Sequence, residues 1–432
     1  MLELLLPLHG IGGRGDLPVP LWLAIYSAGA AVAVSFFALA AFWSRPRFEG
    51  TTGRPLGRLT RFVDSPATRV VLKVAGVAAL AVLLGAAWLG DSTGNPAPTW
   101  LYVWIWVGII PLSLLFGPIW RLANPLRTLA GLVRRTSHKQ LPQRVAYWPA
   151  VAGMAGFVWL ELVYPSASEP RVVATAITVY AAVNVAAGII YGPSWFAVGD
   201  SFEVYADVLA RLSPLGREDG QLVLRNPLAG LATMPQQPGI VGLLCLLLGS
   251  TAFDGISRWS LWTRLTGNLP HIPVASAGLI GAVAIVTALF LLAARATGAA
   301  QLRPGALGSA GLPGAFVHSL VPIAIGYSVA HYFSFAMFQG QDGWLLASDP
   351  FGRGWDLFGT SGREIDYTFL GTGFIAGVQV GAIVVGHVLG VVSAHDRATW
   401  LFRRRELRRA QYPMLAAMVA FTAGGIALVS AS

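Results

Sequence analysis

The chain has 432 residues, of which 55% are hydrophobic and only 12% are charged. This charged fraction is about half of that in an average soluble domain, so much of the surface must face lipid. The net charge of +10 does not indicate nucleic-acid binding, because the arginines lie in short loops between apolar runs. The single cysteine, Cys245, excludes a disulfide within the chain and a CxxC metal site.

Ten apolar runs occur along the chain, and most reach the roughly 20 residues that cross a bilayer core as a helix. They predict an all-α integral membrane protein embedded in a lipid bilayer, with residues 1–432 forming a single polytopic domain. The sixth run is the shortest and could be tilted or re-entrant. The predicted spans are 20–43, 70–90, 99–117, 147–164, 172–191, 238–253, 272–294, 313–337, 367–392 and 412–430.

The distribution of Lys and Arg between these runs predicts the orientation. With the N-terminus outside the cytoplasm, the inner segments contain 24 of the 30 Lys and Arg residues, and the outer segments contain 6. Such a bias is typical of loops that stay on the cytoplasmic side. Both termini are therefore predicted to be extracytoplasmic, and the arginine-rich segment 403–409 is predicted to be cytoplasmic.

Short helices are predicted along the cytoplasmic surface. A Gly-Pro-x-Trp sequence ends the third run at 117–120 and the fifth at 192–195. Asn124 and Asn226 each precede a proline, an order typical of a helix N-cap followed by the first turn. The segment 199–216 is predicted to be an amphipathic helix with a capping box at its start. These helices could lie on the membrane surface or line an inner vestibule.

Two outer segments flank the predicted spans. Residues 1–19 form a short N-terminal segment before the first span. The outer loop 338–366 is the longest, and loops of this length in a compact protein are usually functional. Its aromatic residues favour a lid or re-entrant plug that presents Asp349 or Asp356 inward.

Polar residues within membrane helices are costly, so they are candidates for function. Near the outer surface the predicted spans bring Glu161, Asp254, His271 and His331 to a similar level, with His9 on the same side. Three histidines and two carboxylates could form a metal-dependent or hydrolytic site open to the outside. Wetted helix ends that have no role are the alternative interpretation.

His318 and His387 are predicted at a similar depth near the inner surface, on consecutive antiparallel helices. They could share a metal, a haem or a proton, and imidazole suits Zn, Cu or Fe equally. Alternatively, each ring could bond to a neighbouring helix or to a buried water. His318 and His331 are separated by about 220° around one helix, which disfavours two stacked haems and leaves a single haem b.

Three stretches resemble a family of bacterial, often actinobacterial, polytopic membrane proteins that carry the name fenitrothion hydrolase. The resemblance implies cleavage of an organophosphorus triester and a location in the bacterial plasma membrane. Some relatives have a cleaved signal peptide that would leave a copper-chelating histidine at the position of His9, but this chain lacks the cleavage signature. The stretches are HGIGGRGDLPVP at 9–20, WRLANP at 120–125, and the segment 386–398, which begins GH and ends HDRA.

The leading hypothesis is a membrane-embedded, metal-dependent enzyme, such as a hydrolase, that acts on a small-molecule substrate. His331 and His271 would bind a divalent transition metal, and Glu161 or Asp254 would serve as a ligand or general base. A transporter or permease for a metal ion or small solute is the first alternative, and a haem b electron-transfer subunit is the second. A homo-oligomer or a partner in a membrane complex is left open.

Overall fold

The computed structural model describes residues 21–431 apart from 134–136, 143, 300–301, 303–306, 308–310 and 404. The predicted outer segment 1–19, with His9, lies outside these residues. The described residues cluster into two compact units, where the sequence indicated one polytopic domain. The first unit combines the described parts of 1–49, 235–337 and 367–432, and the second combines those of 50–234 and 338–366.

All ten apolar runs form helices, and each contains the residue types that favour tight packing in lipid. Within the described residues nine of them are long and apolar enough to cross a membrane, while the fourth has only 16 residues. The protein is therefore a mostly helical, multi-pass membrane protein. The helices are α1 Leu21–Phe42, α2 Pro66–Leu89, α3 Ala97–Phe116, α4 Trp148–Val163, α5 Pro170–Tyr191, α6 Ile240–Ser257, α7 His271–Ala296, α8 Leu320–Leu346, α9 Thr372–Leu401 and α10 Leu407–Ala431.

The start of α8 differs from the predicted span 313–337. Pro322 has no N–H to donate to the carbonyl of His318, so regular α-helix begins only at Leu320. A short helix, Gly311–Phe316, and a single 3₁₀ turn precede it. His318 lies in that turn rather than inside a continuous α-helix.

The ends of α8 and α9 also correct the predicted boundaries. Helix α8 continues nine residues past the predicted end, so part of the expected loop 338–366 is helical. Helix α9 continues to Leu401, nine residues past the predicted span, so His395 to Arg397 lie within the helix. Hydropathy alone ended both helices too early, because their last turns carry polar and charged residues.

A small antiparallel sheet in the second unit corrects the prediction of a purely α-helical fold. Its strands are β1 Arg54–Pro55, β2 Leu215–Glu218 and β3 Gln221–Leu224, in the order β1-β3-β2. The predicted helix 199–216 is shorter, Ser201–Ala210, and its last residues belong to β2 instead. This helix is buried against α3 and α4 rather than lying on a surface.

The two Gly-Pro-x-Trp sequences of the second unit adopt the same backbone conformation. Gly117 has φ 65° and ψ −144°, and Gly192 has φ 74° and ψ −164°. Only glycine adopts such angles readily, so it ends α3 and α5 in the same way. A one-turn helix follows each glycine, and then Asn124 and Asp200 cap the helices Pro125–Leu132 and Ser201–Ala210.

In the first unit α6 packs against α7, while α1, α9 and α10 pack together. Helices α8 and α9 approach closely because glycine lines their contact. A Cβ built on Gly386 would lie 2.5 Å from the Pro322 carbonyl oxygen, and one on Gly326 would lie 2.6 Å from that of Ala382. Small residues that let backbones meet are typical of helix packing in membranes.

Candidate functional site

Asp254 and His331 form a buried acid–base pair in the first unit. Asp254 lies in the last turn of α6, and His331 lies in the middle of α8. The His331 Nε2 is 2.5 Å from the Asp254 Oδ2, and the two residues are 6% and 3% exposed. Arg258, one turn after Asp254 on the same helix, donates to Oδ1 at 2.8 Å. The carboxylate is therefore held between an imidazole and a guanidinium.

A cavity of about 210 Å³ adjoins this pair, and His331 lines it. Helices α6, α7, α8 and α10 form its walls, which are apolar apart from a few groups such as Thr251 and the ring of Tyr327. Ile285 and Leu289 on α7 also line it and are 63% and 41% exposed. Because α7 is a membrane-length apolar helix, we expect these exposed side chains to face lipid.

Tyr327 closes the inner wall of the cavity against α10. Its hydroxyl donates to the Phe421 carbonyl oxygen. This contact requires glycine at position 425, where a Cβ would lie 1.8 Å from the Tyr327 ring. The ring also lies edge-on to His387, with 5.4 Å between the two centroids. The cavity wall is thus continuous with the contact between α8 and α9.

The pair can exchange a proton with a bound molecule. An imidazole and a carboxylate lie 2.5 Å apart, and Arg258 forms an ion pair with the same carboxylate inside the protein. A buried pair of this kind next to a cavity is a characteristic arrangement for acid–base chemistry. The apolar walls favour a ligand that is itself largely apolar.

Of the predicted metal centre, the described residues show Asp254 and His331 in contact, and metal binding stays a prediction. No group of three or more His, Cys, Asp or Glu side chains able to hold a metal occurs among them. Asp254 already binds Arg258 and His331, and a guanidinium on the carboxylate opposes the binding of a second cation. His271 begins α7 and is exposed, and Glu161 is half-buried in α4 of the second unit.

His318 and His387 each bond to a different backbone carbonyl. The His318 Nε2 lies 3.2 Å from the Ser393 oxygen on α9, and the His387 Nδ1 lies 2.8 Å from the Ile383 oxygen on its own helix. The first contact is the helix-to-helix bond that the sequence offered as the alternative to a shared ligand. A haem or metal shared by the two rings stays a prediction.

The aspartates of the outer loop cap turns of the loop itself. The carboxylate of Asp349 accepts N–H bonds from Arg353 at 2.8 Å and Gly354 at 2.6 Å. These donors, Arg353 first, hold its pKa below the usual range. Backbone N–H groups, that of Ser361 first, lower the pKa of Asp356 similarly. A lid that presents either residue to a substrate stays a prediction.

The sequence His395-Asp396-Arg397, part of the family resemblance, holds the segment that follows α1. His395 Nε2 lies 2.9 Å from the Trp43 carbonyl oxygen, and Asp396 accepts from the Trp43 indole at 3.1 Å. Arg397 pairs with Glu49 at 2.7 Å. All three residues of the motif are buried. Their contacts give this motif a structural role within the first unit.

A second buried polar group occurs in the second unit. Asn124 donates to Asp200 and Glu203 at 2.8 Å each, and Arg127 forms a two-point pair with Glu203. Tyr180 donates to Asp200 at 2.5 Å. Burial raises the pKa of Asp200. We refer to these five residues as the Asn124 cluster.

Sequence reasoning placed Asp254 and His331 at one level but missed Arg258 and Tyr327. Arg258 was counted only among the outer charges, although its position four residues after Asp254 on a helix is a recognisable ion-pair spacing. Tyr327 gave no such signal, because its role depends on glycine at position 425 of another helix.

The helices and their buried polar groups define a multi-pass membrane protein with an apolar cavity beside the Asp254–His331 pair. Comparison with protein families, with characterised proteins and with solved structures finds no match for this chain. The candidate site therefore rests on its geometry.

Proposed function

We propose that the protein is a membrane-embedded hydrolase of lipophilic esters, with Asp254 and His331 as its acid–base pair. The observation that carries the proposal is the 2.5 Å contact of this pair at the wall of an apolar cavity of about 210 Å³. The substrate class follows from the apolar lining, and the family resemblance suggests organophosphorus triesters within it. No step is assigned to a metal.

In this reaction the pair takes a proton from a water molecule as its oxygen attacks the phosphorus or carbonyl carbon of the ester. A bond forms between the water oxygen and that centre, and the bond to the leaving oxygen breaks. The proton then passes from the pair to the leaving group, which restores the starting state. Arg258 holds the Asp254 carboxylate in place during both transfers.

The proposed setting is a bacterial plasma membrane, with ten spans and both termini extracytoplasmic. The excess of Lys and Arg in alternate loops supports this orientation. With it, α6 runs outward, so Asp254 lies near the extracytoplasmic end of its helix. The site would therefore receive substrates from the outer half of the bilayer.

The test is hydrolysis of a lipophilic phosphotriester and a lipophilic carboxylic ester by the purified protein in lipid nanodiscs. Asp254→Asn and His331→Gln should each reduce turnover by about 10²–10⁴-fold, the usual contribution of a positioned acid or base. His271→Gln is the matched control, since His271 is exposed and outside the pair. Loss of activity in His271→Gln and in chelator would favour the metal-dependent site instead.

Transport of a small solute is the second candidate function. It is favoured by the position of the pair inside a helix bundle, where buried ionisable groups often couple solute to proton movement. Solute uptake into proteoliposomes without chemical change of the solute would support it. Absence of ester hydrolysis in the wild-type protein, with such uptake present, would replace the hydrolase proposal.

A further inference from the structure

Three polar side chains between α8 and α9 are buried without a full set of hydrogen-bond partners. Gln379 and His387 are 0% exposed, and His318 is 3% exposed. Neither amide atom of Gln379 has a partner among the described residues, nor has the His387 Nε2 or the His318 Nδ1. We refer to these residues as the polar series. A buried polar atom left unpaired costs about 1–3 kcal/mol, so four of them require an explanation.

The bonds that the two histidines do make bear on which ring nitrogen carries the proton. His387 Nδ1 and His318 Nε2 each lie against a backbone carbonyl, which can only accept. For His387 this nitrogen therefore carries the hydrogen in the neutral ring, and the opposite nitrogen is a bare proton acceptor without a protein partner. His318 also contacts the backbone of Ala315, so its hydrogen can lie on either ring nitrogen and the other nitrogen is the acceptor.

The antiparallel contact of α8 and α9 places the series in order along the helices. Gly390 lies against Ser319, and Gly386 lies against Pro322 and Gly326. One turn further, Ala330 and Ile383 share an apolar cluster. Continuing this register brings Gln379 to the level of His331.

The series therefore runs between two charged groups of the first unit. At one end Gln379 lies level with His331 of the acid–base pair. His387 follows beside Tyr327, and His318 lies against Ser393 at the other end. The next residues of α9 are His395 to Arg397, which bind the segment after α1. From Gln379 to His395 the helix rises about 24 Å, most of the thickness of a bilayer core.

We infer that water molecules hydrate the polar series and make it a proton route between the Asp254–His331 pair and the opposite end of α9. Water supplies the missing partners, as it commonly does for buried polar groups that have no protein partner. A proton adds to the bare nitrogen of His318 or His387 from one water and leaves from the same nitrogen to the next. Gln379 orders a water with its donor and acceptor and takes no proton itself. This route is independent of ester hydrolysis.

Hydration is tested by brief X-ray radiolysis of the protein in nanodiscs, followed by mass spectrometry. Hydroxyl radicals formed from bound water label the residues next to it, so His318 and His387 should be oxidised. Cys245 and Met154, which are equally buried, are the controls. Cysteine and methionine react with hydroxyl radicals faster than histidine does, so they would be oxidised first if water lay beside them. We expect both controls to stay unmodified, because no water is inferred next to them. Oxidation of the controls alone, or of none of these residues, would show that the series is dry.

Proton movement is tested with the full chain in vesicles of neutral lipid that carry a trapped pH-sensitive dye. After a pH jump the wild-type protein should collapse the gradient faster than protein-free vesicles, and His387→Leu or Gln379→Leu should abolish the difference. Thr422→Val is the matched control, because Thr422 is fully buried but bonded to the Met418 carbonyl oxygen. Its flux should equal that of the wild type.

Wild-type flux equal to that of empty vesicles, or unchanged flux in His387→Leu, overturns the proton route. Thermal unfolding of each variant in detergent separates loss of flux from loss of folding. Ester hydrolysis is assayed without a pH gradient, so the two proposals are tested separately. Either one can fail while the other stands.

Discussion

The buried polar side chains of the two units differ in how completely they are hydrogen-bonded. In the Asn124 cluster two carboxylates, an amide, a guanidinium and a phenol bond to one another, and the short helices capped there are held in place. In the polar series, by contrast, each side chain keeps at least one atom without a protein partner. A saturated network fixes a fold, whereas an unsaturated series is available to water or to a ligand.

The two regions differ in how many hydrogen-bond donors and acceptors of the protein lie near the buried side chains. The Asn124 cluster forms where the N-termini of two helices meet, so backbone N–H groups and an arginine are available. The polar series lies between α9 and α8 with the 3₁₀ turn that precedes it, where most backbone groups are paired within their own helix. Side chains there find only the few carbonyls that can accept a further bond.

The largest expected effect comes from breaking the saturated network. Arg127→Leu leaves the Glu203 carboxylate buried without its cation, which should lower the free energy of unfolding by about 3–5 kcal/mol. Arg121→Leu is the control, since Arg121 is exposed on the neighbouring one-turn helix and should change stability little. Denaturant unfolding in detergent measures both. Equal stability of the two variants would mean that the cluster does not hold the second unit.

Two glycine-to-alanine substitutions on α9 distinguish the effect of close helix contact on stability from the effect of helix propensity. Gly386→Ala would push a methyl group against the Pro322 carbonyl and should destabilise by about 1–3 kcal/mol. At Gly381 the position is open, so Gly381→Ala should stabilise by about 0.5–1 kcal/mol through the loss of unfolded-state freedom. Thermal unfolding should therefore shift in opposite directions. Shifts of the same sign would contradict the close contact.

The pH dependence of stability should report on Asp207, beside the Asn124 cluster. Burial first, and then the charge of Glu203, raises its pKa from 3.8 to about 6. The folded state therefore binds this proton more tightly than the unfolded state, and stability should fall as pH rises from about 4 to about 6. Asp207→Asn should remove this fall and stabilise the protein above pH 6 by on the order of 1–2 kcal/mol. Stability curves at several pH values test this, with the exposed Glu169→Gln as control.

The smallest expected effect concerns an amide of the polar series. Gln379→Leu removes atoms that bond to no described residue, so the free energy of unfolding should change by less than about 1 kcal/mol. Asn124→Leu should cost more, because it strips two donors from buried carboxylates. The pair of variants, measured in the same unfolding assay, compares the two regions directly. A large loss in Gln379→Leu would indicate a structural role for that amide.

Much of this architecture follows from local sequence patterns. The apolar runs predicted every long helix, and the Asn-Pro pairs and Asp200 predicted three helix N-caps that the structure confirms. These features depend on hydropathy and backbone chemistry within a few residues. For the same reason the sheet was missed, because its strands have only two to four residues and pair across a long stretch of sequence.

The candidate site was less accessible to sequence reasoning. The amphipathic pattern of 199–216 suggested a helix on the membrane surface or lining a vestibule, but its Glu203 is fully buried, with Arg127 and Asn124 as partners. Depth along the predicted spans grouped Asp254 with His331, while it could not tell which side of each helix faces the other. The cavity depends on glycine at positions 424 and 425, whose effect appears only when four helices are assembled.

The exposed side chains of Ile285 and Leu289 at the cavity have a kinetic consequence. Under the proposed function, a substrate dissolved among the acyl chains would reach the opening by lateral diffusion, without passing through the aqueous phase. Its effective concentration is then its mole fraction in the bilayer, so diluting it with inert phospholipid slows the reaction even when the amount per volume of buffer is constant. A Michaelis constant for such a protein has meaning only per mole of lipid.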